Sequence, residues 1–215
     1  MHPPTPVLLV AASGLAREVI ALSRTHGQFD VIGIADDDPA REGTTVDGVP
    51  VLGPVAVASD HPDLGVVVCA GHGSVRAAIV LRLASAGLDP VRYTTLRHPS
   101  VDVPGGCSVG AGSILLAGVV LTAAVEVGAH VVAMPHVTLT HDCRVEDFVT
   151  LAAGVSLGGG VRVGAAAYIG MNAGVRPGVS IGPGATVGMG SVVLGDVPTQ
   201  QTWAGVPARP LGAHS

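Results

Sequence analysis

The chain of 215 residues has no lysine: its 11 basic residues are all arginine, set against 16 acidic ones for a formal net charge of −5. No basic run or patch stands out, so the sequence lacks an electrostatic footprint for nucleic acid or for an anionic membrane surface. Aromatic residues make up only 2%. Any core must therefore be aliphatic, and the 48% apolar content is enough to build one. Cysteine is scarce as well. Cys69, Cys107 and Cys143 are odd in number and have no motif spacing, so they read as reduced, buried small hydrophobes in a cytosolic protein. No apolar run reaches the ~18 residues that a bilayer span requires. The opening MHPPTPVLLVAASG lacks the basic and long apolar regions of a signal peptide. These absences predict a soluble, cytoplasmic protein with neither nucleic-acid nor membrane partners.

What the sequence does have is a period. From Val103, every sixth residue to Val193 is Val, Leu or Ile, with Ala133 as the exception. The position four after each is also small or β-branched, as at Cys107, Ser113, Val119, Val125, Cys143 and Ser191. Glycine often follows the aliphatic position, at Gly110, Gly128, Gly158, Gly164, Gly170, Gly182 and Gly188. A period of six fits neither a helix nor a plain strand. It describes a short strand plus a tight turn, with the aliphatic residue inward and glycine expected to supply the turn angles. Stacked coils of that kind bury continuous aliphatic ladders.

The first half reads differently. PVLLVAA, DVIGIAD and LGVVVCA are short apolar strands, with VRYTTL as a candidate fourth. LAREVIALSRTHG and SVRAAIVLRLASAG have helical spacing and end at Gly27 and Gly87. Strands alternating with helices imply a small parallel α/β sheet, Rossmann-like, whose ligands sit beyond the carboxyl ends of the strands. Those ends hold Ser13, Gly14, Asp36, Asp37, Gly71 and His72. AASGLAREV has one glycine where a dinucleotide fingerprint has three. Its small residues either admit a phosphate to the next helix N-terminus or form a plain strand-to-helix turn.

In order, SGLAREV, ADDDP, GHGSVR, HPS at 98–100, hexapeptides containing HDC, and a closing GVPARPL resemble the sialic-acid O-acetyltransferase and UDP-amino-sugar N-acetyltransferase group. The resemblance covers nearly the whole chain. It implies an α/β domain (1–98) that holds a sugar or UDP-sugar acceptor. A left-handed parallel β-helix of about five 18-residue coils (99–195) follows and holds acetyl-CoA, and a tail (196–215) packs on the last coil. It implies acetyl transfer to an amino or hydroxyl group, no metal, and a homotrimer with acetyl-CoA in the groove between neighbouring β-helices. By the same likeness Thr150, Gly159, Gly170, Met171, Gly188 and Met189 are candidate cofactor contacts. The group's amino-sugar enzymes carry a histidine where this chain has Thr150. They commonly have Gly and His in the first loop, where Leu15 and Ala16 stand here.

The ionisable pair in VTLTHDCRVEDF gives the resemblance its chemistry. A hydroxyl or ammonium attacks a thioester only after losing a proton, and an imidazole is suited to take it. A carboxylate on the other ring nitrogen fixes the tautomer. The resemblance assigns base to His141 and partner to Asp142, with backbone N–H groups of Gly158, Gly159 and Gly160 for the oxyanion. One coil either side of His141 stand Ala123 and Gly159, small enough to leave room for a ligand.

Two other readings use the same fold. His136 and His141 are five apart, as in the zinc-binding γ-class carbonic anhydrases, but Ser100 stands where those need a third histidine. The other is a non-catalytic protein that binds or assembles around nucleotide sugars. His72 either touches the acceptor or caps the second helix. Arg209 meets a CoA phosphate or lies on the surface, Trp203 folds back on the last coil, and His2, His26, His61 and His214 read as surface or terminal residues.

Overall fold

The computed structural model describes residues 3–212, so His2 and His214 lie outside it. The chain forms two compact units. One runs to Gly71 and includes Val75–Thr95; the other comprises His72–Ser74 and everything from Leu96.

The first unit is a five-stranded sheet in the order β3-β4-β2-β1-β5. Its strands are β1 (Thr5–Val10), β2 (Phe29–Ala35), β3 (Thr45–Val46), β4 (Val49–Gly53) and β5 (Gly65–Val68). β1 pairs in parallel with β2 and β5, and β2 with β4. Val7, Leu8, Leu9 and Val10 are all fully buried, as a central parallel strand covered on both faces requires. Helix α1 (Gly14–His26) is capped by Ser13, whose hydroxyl accepts from Leu15 and Ala16 N–H, and it closes at the left-handed Gly27. Its apolar face buries Leu15, Ala16, Val19, Ile20 and Leu22. Helix α2 runs Gly73–Ser85.

Two elements differ from expectation. β3 and β4 form an antiparallel hairpin around Asp47-Gly48, with φ of 47° and 78°, the backbone that two-residue hairpin loops demand. The segment VRYTTL is not a fourth strand of this sheet. Asp89 caps a 3₁₀ turn at Pro90–Arg92, Tyr93 makes one bridge to Val66, and Leu96–Arg97 pairs with Ile114–Leu115 in the second unit.

The second unit is the left-handed parallel β-helix. Fifteen two-residue strands run from Ser108–Val109 to Val192–Val193, and each of the first twelve pairs with the strand 18 residues on. They stack into three faces. The first carries Ser108, Glu126, Arg144, Arg162 and Ser180 outward; the second Ile114, Val132, Thr150, Tyr168 and Thr186; the third Val120, Thr138, Ser156, Gly174 and Val192. The inward ladders form one core, in which Leu115, Leu139, Leu151, Leu157, Val163 and Ile169 are each at most 1% exposed. The ladder starts one step later than the period suggests. Val103 lies outside any strand and is partly exposed, while Val101 enters the core. Hydroxyls inside the coil are satisfied: Ser113 donates to Gly128 O at 2.9 Å and accepts Val131 N–H at 3.0 Å.

The turns hold a correction. From 106 to 190 every sixth residue is left-handed, φ 52° to 86°. Seven of these corners are not glycine: Ala124, His130, His136, Asp142, Phe148, Ala166 and Asn172. The glycines that follow the aliphatic ladder are needed for another reason. A Cβ at Gly110 would meet Ala129 N at 2.5 Å, and one at Gly164 would meet Pro183 N at 2.5 Å. They let successive coils approach; the turn angle is taken two residues later.

After Val193 the chain leaves the coil and returns. Thr202–Gly205 pairs with Thr186–Val187, then with Ala208–Pro210 in an antiparallel hairpin. Trp203 packs partly buried against the core. Among the described residues no helix is long and apolar enough to cross a membrane.

Candidate active site

His141 and Asp142 sit on the edge where the third face turns into the first, between Thr138–Leu139 and Arg144–Val145. The backbone there is held from both sides. Asp142 N–H donates to Ala123 O at 2.9 Å in the coil before, and Gly160 N–H donates to His141 O at 2.8 Å in the coil after. Thr140 Oγ1 donates to Leu157 O at 2.7 Å. The next residue, Cys143, points inward; its Sγ donates to Gly158 O at 3.2 Å, and burial pushes the thiol up.

From this fixed edge the two side chains project into solvent, 67% and 66% exposed, with His141 Nδ1 2.8 Å from Asp142 Oδ2. An ionised carboxylate only accepts hydrogen bonds, so Nδ1 carries the hydrogen and a neutral ring keeps its lone pair on Nε2. That is the tautomer of a base. Asp142 is left-handed, φ 61°, a conformation aspartate tolerates better than most residues.

Of the two small neighbours expected to leave room beside the pair, Ala123 is exposed but Gly159 is not open. Gly159 is covered by the imidazole itself: a Cβ there would lie 2.4 Å from His141 Cε1. Of the three glycines offered for the oxyanion, Gly158 N–H donates to Val175 O and Gly160 N–H to His141 O. Only Gly159 N–H has no acceptor among the described residues.

The other cofactor candidates are not gathered here. Met171 and Met189 lie one coil apart on the edge between the second and third faces, 46% and 70% exposed. His136 lies on that edge too. Thr150 points outward on the second face and is buried. Gly170 and Gly188 are explained by packing: a Cβ would strike Met189 N at 2.6 Å and Ala204 Cβ at 2.8 Å. Arg209 lies exposed on the final hairpin. Among the described residues no group of three or more His, Cys, Asp or Glu is placed to hold a metal ion.

In the first unit the strand ends do converge. Ser13 Oγ donates to Cys69 O at 2.5 Å, joining the ends of β1 and β5, and Ala12 N–H donates to Asp36 Oδ2 at 2.6 Å, joining β1 and β2. Gly14 is the exposed first residue of α1. Ser13 already occupies two N–H groups of the helix start, and Asp37 is engaged by Val55 N–H and Arg82. Arg76, 1% exposed, donates to Ala70 O at 2.8 Å and Gly71 O at 2.9 Å, and burial lowers its guanidinium to about 10. His72, within the second unit, stacks on Tyr168 at 5.4 Å.

Sequence reasoning missed three arginines. Arg41 Nη1 donates to Ala12 O at 3.0 Å, which puts a cation at the β1–α1 loop. Arg144 and Arg162 line a groove of about 430 Å³ on the first face, with Glu126 and Glu146. Arg144 pairs with Glu126 at 3.2 Å, whereas the Arg162 side chain makes no contact of that kind among the described residues. The step of 18 from Arg144 to Arg162, one full coil between outward positions, was the available signal.

The chain's relatives can now be placed beside this geometry. Residues 6–83 match the PglD N-terminal domain family, and residues 160–195 match the bacterial transferase hexapeptide (six repeats) family. The acetyltransferase domain of PglB from Neisseria gonorrhoeae, solved with acetyl coenzyme A, is 30% identical, with a TM-score of 0.87 over 97% of this chain and 100% of that one. PerB from Caulobacter crescentus, solved with CoA and GDP-perosamine, is 32% identical, with a TM-score of 0.86 over 96% and 97%. WeeI from Acinetobacter baumannii is 28% identical, with a TM-score of 0.81 over 96% and 100%. No curated protein matches the chain significantly.

Proposed function

The chain belongs to the sugar acetyltransferases that join a PglD-type N-terminal domain to hexapeptide repeats, and from that membership we propose that it acetylates an amino group on a nucleotide-linked sugar, with His141 as base. The coarser activity follows from the family: the protein is an acetyl-CoA-dependent sugar acetyltransferase.

The observation that carries the proposal is the 2.8 Å contact between His141 Nδ1 and Asp142 Oδ2 on an otherwise aliphatic coil. It leaves Nε2 to receive a proton. A neutral sugar amine attacks the thioester carbonyl, and Nε2 takes the proton that the attacking nitrogen sheds. The C–S bond breaks, and CoA leaves with its sulfur carrying the electron pair. Gly159 N–H is the backbone donor free to meet the oxyanion. An amine is favoured over a hydroxyl as acceptor because PerB is a perosamine N-acetyltransferase solved with GDP-perosamine. In the first unit, the ends of β1, β2 and β5 with Arg41 offer hydrogen-bonding groups and a cation suited to a nucleoside diphosphate.

We read the working assembly as a homotrimer. Met171 and Met189 stand on a different edge of the coil from His141, so one β-helix does not bring donor contacts and base together. A neighbouring copy would. Val120 and Val192, 46% and 38% exposed on the flat third face, support the same reading. The free cysteines Cys69, Cys107 and Cys143 fit a reducing, cytoplasmic setting.

The test is thiol release from acetyl-CoA with UDP-, GDP- and dTDP-linked amino sugars and their hydroxyl counterparts, beside His141→Ala. Release is expected only with amino sugars, falling about 10²–10⁴-fold in the variant. Unchanged release by His141→Ala would remove His141 as base, and turnover of the hydroxyl sugars alone would replace N- with O-acetylation. Nucleotide-sugar binding with no release from any acceptor would leave a binding protein.

A further inference from the structure

The three atoms that crowd Gly159 most closely all belong to the catalytic histidine. The three atoms nearest a Cβ built there are His141 Cε1 at 2.4 Å, Nε2 at 2.5 Å and Nδ1 at 3.1 Å. Real Cβ atoms do not approach carbon or nitrogen that closely, so the ring occupies the space that a side chain at 159 would need. The other glycines have other reasons. Gly110, Gly128 and Gly170 clear the way for backbone. Gly112 and Gly118 also lie under rings, those of His130 and His136, but both are left-handed corners, φ 69° and 72°, where glycine additionally avoids the strain a side chain would bear. Gly159 is not left-handed, and no backbone crowds it.

We infer that Gly159 is a positioning residue for His141: its missing side chain is the seat on which the imidazole lies, and the seat holds Nδ1 against Asp142 and Nε2 ready for the acceptor. This rests on His141 being the base. The seat is fixed from beneath. Cys143 Sγ donates to Gly158 O at 3.2 Å, Thr140 Oγ1 donates to Leu157 O at 2.7 Å, and Gly160 N–H donates to His141 O at 2.8 Å. Ring and seat therefore belong to one cross-linked edge. A methyl group at 159 leaves the backbone unstrained and forces the ring to turn away, breaking the 2.8 Å contact with Asp142.

The experiment uses Gly159→Ala in the full-length protein and reads kinetics and the imidazole nitrogen signals by NMR, with His141→Ala identifying the ring. Gly159→Ala is expected to lower kcat about 10²-fold, the cost of a small misplacement of a catalytic group, with little change in KM for acetyl-CoA. The His141 nitrogen signals should move in the direction that Asp142→Asn moves them. The double variant Asp142→Asn/Gly159→Ala should be no slower than the slower single one, because both release the same ring. Gly106→Ala is the control for stability: that residue is left-handed, φ 86°, on the same edge with nothing within 4 Å. It should lower the melting temperature and keep kcat. A Gly159→Ala protein with unmoved ring signals overturns the inference, whether kcat is kept or KM rises instead. If His141→Ala is itself fully active, the proposed function fails, and the ring signals still decide whether Gly159 is the seat.

Discussion

Arg82 Nη2 lies 2.7 Å from Asp37 Oδ2, tying α2 to the loop after β2. Burial works to raise the Asp37 carboxyl, but Val55 N–H and Arg82 together hold it below its ordinary value. A carboxyl lowered in the folded state stabilises above its unfolded pKa of about 3.9 and loses that contribution as pH falls through the folded value. Both side chains are about half exposed, so the pair contributes at most ~1 kcal/mol. Arg82→Ala should therefore melt a few degrees lower at pH 7, and the gap should close towards pH 2. An equal gap at both pH values would show that Arg82 acts through packing instead.

Asp142→Asn should fold normally, since asparagine also tolerates the left-handed corner. Its amide need not present an acceptor to Nδ1, so the tautomer is no longer fixed. A fall in kcat of order 10²–10⁴ is expected, with acetyl-CoA affinity retained. Full activity in that variant would reduce Asp142 to a surface neighbour.

Burial raises the thiols of Cys69 and Cys143, while Cys107 is partly exposed. Iodoacetamide at pH 8 should modify the native protein once, at Cys107, and all three cysteines in denaturant. Mass spectrometry of the native sample would sink this by finding carbamidomethyl on Cys69.

Leu151 is fully buried in a middle coil. Leu151→Ala should cost about 2–5 kcal/mol in equilibrium unfolding, the range for an unfilled aliphatic cavity. A loss below ~1 kcal/mol would mean that the coil collapses around the gap.

The β-helix was legible because its information is one-dimensional. Each inward residue recurs at six and each neighbour at 18, so Leu139, Leu157 and Val175 declare one ladder without knowledge of the rest of the fold. The corner angle was not legible, since the period leaves the left-handed column to residues as unlike as Phe148, Asp142 and Ala166. Tertiary stacking overrides local preference there, at roughly 1–3 kcal/mol per bulky residue. The hairpin around Asp47-Gly48 had a clear local signal, and short β3 hid it. His141 and Asp142 announced themselves by being ionisable in an aliphatic stretch. That Gly159 lies beneath the ring could not be read, because a step of 18 fixes which residues neighbour one another and leaves the lean of a side chain open.

The unbroken step of six means that edits to this chain act as geometry. Removing one hexapeptide after His141 would turn every later residue by a third of a revolution, carrying Met171 and Met189 onto another edge. Removing three would leave every edge in place and shorten the rod by one layer. Length in such a rod is counted in whole layers, and everything between is a rotation.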